Sequence, residues 1–495
     1  MIDLTPAQQA CGVLDPSKIT VEQRECIKAI DLDYSLAGDP LWLVIVKAVL
    51  VVVFLLTSVL FAVWFERRVI ARLQQRPGPN TVGKFGLLQS VADAMKLLFK
   101  EDITVRASER LLYIAAPMIS VFCALLIFAV IPFGPATQIP GTDIITPLQL
   151  TDFPVAVLYV LACAALGVYG IVLGGWASGS TYPLMGAVRS TAQVISYELA
   201  MGLSLVTVFM LSGSMSMAEI VDSQTRVWWA LPLLPAFVLY IISMVGETNR
   251  LPFDLPEAEG ELVAGFMTEY SSMKFAWFFL AEYMNMINVS AVAATLFLGG
   301  WRPLWHADWP GYEFLASGIF PPIWLIIKIW LLMFLFVWIR GSLLRFRYDQ
   351  FMKFGWKILI PIGLAWVAFY GIGTVLLDHF DRNVGLFFWA APVVFILLGW
   401  AVATFVQEGR DKAEAEPQEP REKIYRNADG KLVRRVVKKR DDAPTFDAFA
   451  GGFPVPPIPG QQLPPSPRKG RTVEAVKRPT PTVDEQAQSK EGSDG

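Results

Sequence analysis

Apolar residues run in long blocks along this chain, and polar residues gather between the blocks. Runs of roughly 20 apolar residues, the length that crosses a ~30 Å hydrocarbon layer, recur at Leu41–Trp64, Leu111–Pro132, Pro154–Gly174, Ala192–Leu211, Trp229–Val245, Phe275–Leu298, Pro321–Ile339, Ile358–Leu377 and Leu386–Val406. A backbone in lipid must satisfy its own hydrogen bonds, so each run predicts a helix. The expected fold is all-α, a polytopic transmembrane helix bundle of about nine spans. The stretch Gly86–Phe99 is different. Leu87, Leu88, Val91, Met95 and Leu98 recur at helical spacing, while Gln89, Asp93, Lys96 and Lys100 take other positions. It is too polar to span and predicts one in-plane amphipathic helix. The turn Arg76-Pro77-Gly78-Pro79-Asn80 before it must redirect the chain sharply.

The blocks divide the chain into three regions. Residues 1–40 form an N-terminal segment, 41–406 the transmembrane domain, and 407–495 a polar, Pro-rich tail. The tail cannot bury enough apolar surface to fold alone, which predicts disorder. A solvated tail is the plainer reading of it, and a hold on a partner or on lipid headgroups the other. Composition agrees with a membrane protein: of 495 residues, 54% are hydrophobic and 17% charged. The net charge of −2 says little about partners, and nothing points to nucleic acid.

The distribution of charge says more. Arg67, Arg68, Arg72, Arg76, Lys84, Lys96, Lys100, Arg106 and Arg110 follow the first run, and Arg340, Arg345, Arg347, Lys353 and Lys357 follow the seventh. The alternate loops hold only Arg226, Arg302 and Arg382. The positive-inside rule then places the N-terminus outside and the C-terminus in the cytoplasm. No cleavable signal peptide pattern is present, since the first apolar run is too long for an h-region. Cys123 and Cys163 lie inside spans as core residues. Cys11 and Cys26 lie in the external segment, where either a disulfide or two free thiols fits. The chain has no Cys-x-x-Cys pair, phosphate-binding loop or dinucleotide fingerprint. His306 and His379 fall on separate external loops, which argues against a metal site.

The chemistry sits in carboxylates. Between the runs ending at Val245 and beginning at Phe275, the chain carries Glu247, Asp254, Glu257, Glu259, Glu261 and Glu269. Glu198 and Glu282 lie inside spans. An ionisable group at the centre of a bilayer helix costs at least ~2.5 kcal/mol and faces the bundle interior. Glu198 and Glu282 therefore read as members of a proton relay, or as hydrogen-bonded ties between helices. Tyr197 and Tyr283 adjoin them in sequence, but helix neighbours point to different faces, so pairing is not implied. Glu66, followed by Arg67 and Arg68, reads as an interfacial cluster. Asp93 reads as a solvated face. Together with the acidic stretch they lie on one side, as a carboxylate-lined portal requires.

The chain resembles the H subunit of proton-pumping NADH:quinone oxidoreductase, respiratory complex I, over nearly all of residues 41–377. The residues that carry the likeness are Glu66-Arg67-Arg68, Gln75 through Gly83, Ala92 through Lys96, Gly175 through Tyr182, Arg189 through Glu198, Glu247 through Phe266, Ala281-Glu282-Tyr283, and Phe346 through Gln350. Arg68 stands where Lys is commoner. The N-terminal segment, the ninth span and the long tail exceed the usual family core, and such tails look actinobacterial. The resemblance implies a subunit of the bacterial inner membrane at the junction of two arms. Its partners would be peripheral-arm quinone-site subunits and small membrane-arm subunits. Its substrate would be a quinone, ubiquinone or menaquinone, with FMN and iron–sulfur clusters held by partners. It implies that Glu66, Arg67, Arg76, Asp93, Phe266, Arg340 and Arg347 belong to the quinone chamber region. Glu198, Glu282, Glu247, Glu257, Glu259, Glu261 and Asp93 would form the proton path. An equivalent component of a hydrogenase-type complex is the alternative. An autonomous carrier fits less well, because the halves show no paired broken helices and no span shows a buried basic residue set to pair with a substrate. A passive anchor is a further reading.

Overall fold

The computed structural model describes residues 39–138, 145–224, 227–254, 262–303, 315, 318–379, 388–400, 422–426 and 432–436. The chain divides into two units, Met1–Ala403 and Thr404–Gly495. The first is helical. Its elements are α1 (Leu41–Leu73), α2 (Gln89–Phe99), α3 (Arg110–Ile127), α4 (Ala156–Ala177), α5 (Thr181–Ser212), α6 (Met217–Ser223), α7 (Leu234–Glu247), α8 (Ser272–Phe297), α9 (Phe320–Ser342), α10 (Tyr348–Phe354) and α11 (Ile360–His379), then α12 (Phe388–Trp400). A short hairpin pairs β1 (Ala136–Gln138) with β2 (Ile145–Pro147). The all-α expectation holds. In the second unit, Glu422–Arg426 pairs antiparallel with Leu432–Val436, a local element that the polar composition gives no hint of. Cys11 and Cys26 lie outside the described residues.

Among the described residues, six helices are long and apolar enough to cross a membrane: Leu41–Leu73, Arg110–Val130, Ala156–Ala177, Thr181–Ser212, Phe320–Ser342 and Tyr348–Leu376. α8 has 26 residues but carries Lys274, Glu282, Asn285 and Asn288 along it. α7 and α12 are shorter. The run expected at Trp229–Val245 begins as a helix only at Leu234, because Pro235 occupies its first turn, the place where a missing N–H does no harm. α1 and α5 outrun their apolar stretches, with 33 and 32 residues. Their polar ends lift Glu66, Arg67 and Arg189 onto regular helix. Cys123 and Cys163 are buried and free.

The amphipathic helix begins at Gln89 rather than Gly86, after a 3-10 turn at Lys84–Gly86. The turn is tight for a clear reason. Gly86 has φ +72 and lies against the Pro79 carbonyl, so a side chain there would collide with backbone. Phe85 also takes a left-handed φ of 58. Its carbonyl accepts from Trp64 Nε1 at 3.1 Å and Arg68 Nη1 at 2.6 Å, which fixes the turn to α1.

Polar ties set the register of the bundle. Hydrocarbon offers no hydrophobic drive between helices, so packing and hydrogen bonds decide how they meet. Asn288 Nδ2 on α8 donates to Ala124 O on α3 at 2.8 Å. Gln193 Nε2 on α5 donates to Gly246 O and Phe253 O at 2.7 and 2.8 Å. Lys328 corrects a sequence expectation. It is only 4% exposed, two turns into α9, so a span does contain a buried cation. Its partners are backbone: Nζ donates to Leu298 O, Gly300 O and Arg302 O at 2.6, 2.8 and 2.6 Å. These carbonyls follow the end of α8, where helices leave acceptors unpaired. At the same end, burial pushes the Asp152 carboxyl up, against a hydrogen bond from Ser216 at 2.6 Å.

Gly186 on α5 lets the turn Gly265–Met267 approach its backbone. A Cβ there would sit 2.7 Å from Gly265 Cα and Phe266 N. Gly186→Ala should therefore destabilise the first unit by about 1–3 kcal/mol. A lowered thermal inactivation midpoint of the detergent-solubilised protein would report it, and an unchanged midpoint would show that the turn yields freely.

Candidate functional site

A buried ion cluster gathers residues from four parts of the chain. α1 contributes Glu66, α8 contributes Glu282 and Tyr283, α9 contributes Arg340, and the turn after α7 contributes Arg250. Glu66 is 5% exposed. Its carboxylate accepts from Tyr283 Oη at 2.6 Å, pairs with Arg340, and lies 3.6 Å from Arg250 Nη1. Arg250 Nε sits 2.7 Å from Glu282 Oε1, and its guanidinium lies 4.2 Å from the Tyr283 ring centroid. Two carboxylates thus face two guanidinium groups. Breaking a buried pair on one side costs about 3–5 kcal/mol, because it leaves a charge without compensation.

Two cavities meet at this cluster. The larger, about 530 Å³, is lined by Glu66, Arg67, Arg76, Arg250, Glu282, Tyr283 and Arg340, with Ile70, Ala71, Phe279 and the turn Pro77–Pro79. The smaller, about 80 Å³, lies inside the bundle between α3, α4, α5, α7 and α8. Its walls are apolar except for a band formed by Tyr240, Glu247, Asn249, Glu282, Asn285 and Asn288, with Ser120 and Thr248 nearby. Glu247 Oε2, Asn249 Oδ1 and Asn288 Oδ1 are buried polar atoms without a protein partner. A site this polar and roomy can hold several waters, since one needs about 10–15 Å³. Glu282 and Arg250 join the two spaces: Glu282 lines both, and Arg250 links it to Glu66.

Comparison with known proteins decides the family. The family profile described as NADH dehydrogenase matches residues 46–371. A protein of Streptomyces avermitilis, named as the H subunit of NADH-quinone oxidoreductase, is 47% identical over 94% of this chain and 98% of its own length. Proteins of the same name from Frankia alni and Frankia casuarinae are 52% and 53% identical, over 81% and 78% of this chain and 88% and 84% of their own. The chain belongs to the family of NADH-quinone oxidoreductase H subunits. The Streptomyces match is too long to omit the whole C-terminal tail, so at least part of the tail has a counterpart in an actinobacterial member of this family.

Within that family frame, the expected site residues fall into groups. Glu66, Arg67, Arg76, Arg340 and Glu282 line the larger cavity. Asp93 stands beside them on α2, paired with Arg67 and accepting from Gln89 Nε2 at 3.1 Å. Glu247 and Phe266 line the interior cavity instead, with Phe266 set edge-on to Phe278. Glu198 is half-buried on the face of α5 that also carries Val194, Met201 and Leu205, which line that cavity. Arg347 joins neither cavity: its side chain is 76% exposed at the start of α10. Glu257, Glu259 and Glu261 lie outside the described residues.

One sequence reading changes: Glu66 is no interfacial cluster but the buried centre of the ion network. Tyr283 serves Glu66 across the bundle rather than its neighbour Glu282, in line with the different faces that helix neighbours take. The residues missed from sequence are Arg250, Asn249, Asn285 and Asn288. Glu282, Asn285 and Asn288 recur every three residues on an apolar helix, a polar stripe that is legible along the chain. Arg250 lies in view within an acidic stretch, and only the folded chain shows that it bridges two helices.

Arg250→Met is expected to leave Glu282 without its nearest countercharge and to lower stability by about 3–5 kcal/mol. Adding Glu282→Gln should recover most of that loss in a thermal melt of the solubilised complex. A double variant as unstable as the single one would mean that Arg250 acts through packing on Tyr283.

Proposed function

We propose that this chain is the membrane subunit of an NADH-quinone oxidoreductase that forms the wall of a quinone chamber and the first part of a carboxylate path for protons. In this reading the cavity of about 530 Å³ belongs to the chamber, with α2 framing its mouth at the cytoplasmic face. The quinone tail would arrive from the bilayer, and an in-plane helix suits such a portal. The electrons would come from NADH through centres in partner subunits. The N-terminus would lie outside and the C-terminus inside, as the basic loops imply.

The observation that carries the proposal is the position of Glu282, which lines both cavities while paired with Arg250. Reduction of a quinone to a quinol takes up two electrons and two protons. Negative charge arriving in the larger cavity draws Arg250, Arg340 and Arg67 toward it. Glu282 then loses part of its countercharge, and its affinity for a proton rises. A proton taken up there can pass through water in the interior cavity toward Glu247. Glu198 follows on the adjoining helix. Protonation of the quinol removes the negative charge and returns Arg250 to Glu282. The names of the relatives support this reading over the hydrogenase-type alternative.

Glu198→Gln should leave the complex assembled and its NADH oxidation by a water-soluble acceptor intact. Inhibitor-sensitive quinone reduction should fall by about tenfold or more, the range of a lost proton-transfer group. Unchanged quinone turnover together with unchanged proton pumping would remove Glu198 from the path and leave it a structural tie.

A further inference from the structure

The interior cavity has a polar end and a dry end. Along α8 its lining runs through Glu282, Asn285 and Asn288, then Val289 and Val292. Glu282 and Val292 are separated by about 15 Å of helix rise. Beyond Val292 the helix continues as Ala293-Ala294-Thr295-Leu296-Phe297, all buried. Thr295, the polar member, donates its hydroxyl to Val292 O at 2.9 Å. Phe297 packs between Phe237 and Tyr240, with ring centroids 5.3 and 5.4 Å away.

A cation stands directly behind this seal. Lys328 Nζ donates to three carbonyls just past the end of α8 and lies 4.6 Å from the Trp228 ring. Three acceptors match the three N–H bonds of an ammonium, and the indole face adds attraction for a cation. Nearby Arg302 is answered by Asp222 at 2.9 Å. Three carbonyl acceptors and the indole face favour the ammonium form and hold it at this point. A dry constriction backed by a positive charge is one way a pore excludes protons.

We propose that the far end of α8, sealed by Val292, Phe237 and Phe297 and closed by Lys328, is a proton barrier. It stops a proton that has reached Glu282 from crossing the chain, so the interior cavity opens only sideways, toward Glu247 and Glu198. The proposal rests on the reading of the carboxylates as a proton path, and the test separates the two.

The test uses the whole oxidoreductase in inverted membrane vesicles. Passive proton conductance is read without NADH, from the collapse of an imposed pH gradient. Pumping is read as protons per electron during NADH oxidation. Lys328→Gln should keep quinone-reductase turnover within about twofold of the parent, raise passive conductance about threefold or more, and lower protons per electron. Lys328→Arg should restore both. Unchanged conductance and pumping ratio in Lys328→Gln, with less complex assembled, would overturn the barrier and leave Lys328 a clamp on α8. Adding Glu282→Gln decides the route. Loss of the extra conductance supports barrier and path together. Extra conductance that survives keeps the barrier and overturns the carboxylate path. Should Lys328→Gln fail to assemble, Val292→Asn carries the polar stripe into the seal instead, and unchanged conductance in that variant would overturn the proposal.

Discussion

A carboxylate buried among helices must find its countercharge inside the protein, and Glu66 imposes that demand on the whole first unit. It draws Arg340 from the end of α9, Tyr283 from the middle of α8 and Arg250 from the turn after α7. Each of those residues is fixed in turn. Arg250 also holds Glu282, and Tyr283 offers its ring face to Arg250. In lipid, apolar helix faces have no preference for one another over acyl chains. The heights at which α1, α8 and α9 meet are therefore set by this network more than by their apolar surfaces. The larger cavity lies against this network, which lines it with Glu66, Arg250, Glu282, Tyr283 and Arg340.

The acidic stretch after α7 is fixed on both sides. On one side, Phe253 sits against Tyr197, Phe351 and Phe346, and Phe346 N donates to Pro252 O at 3.1 Å. On the other, Tyr270 stacks on Tyr113 with centroids 4.2 Å apart, and Phe266 meets Phe278. The two aromatic anchors bind different partners, α5 with α10 in one case and α3 with α8 in the other.

The long helices are readable in the sequence because hydropathy is an average, and an average over twenty residues survives a few exceptions. The same averaging conceals the exceptions that matter. Lys328 is one residue in an apolar run, and nothing local marks it as buried, because its carbonyl partners come from a turn about thirty residues earlier. Glu66 misleads for a related reason. Its neighbours Arg67 and Arg68 suggest an interface, yet on a helix they point elsewhere, and its true partners come from α8, α9 and the turn after α7. Glu282 is legible as buried because a lone carboxylate in a span has little other explanation. Its place between two cavities depends on how α1, α7 and α8 converge, and a pattern along one chain does not encode that.

α9 carries a cation toward each end, and the two differ in what answers them. Arg340 faces Glu66, a group whose charge changes with one proton. Lys328 faces carbonyls, whose partial charges do not change. Twelve residues, about 18 Å of helix, separate them. The end at Arg340 can therefore respond to chemistry, because protonating or deprotonating its neighbours alters the force on it. The end at Lys328 is held by three carbonyls, which match the three N–H bonds of an ammonium and fix its position. α8 shows the same division along its length, with Glu282, Asn285 and Asn288 in the half near Arg340 and an apolar run in the half near Lys328. Both helices therefore carry their carboxylate-paired or amide-bearing part toward one end and their apolar or carbonyl-capped part toward the other, in the same direction.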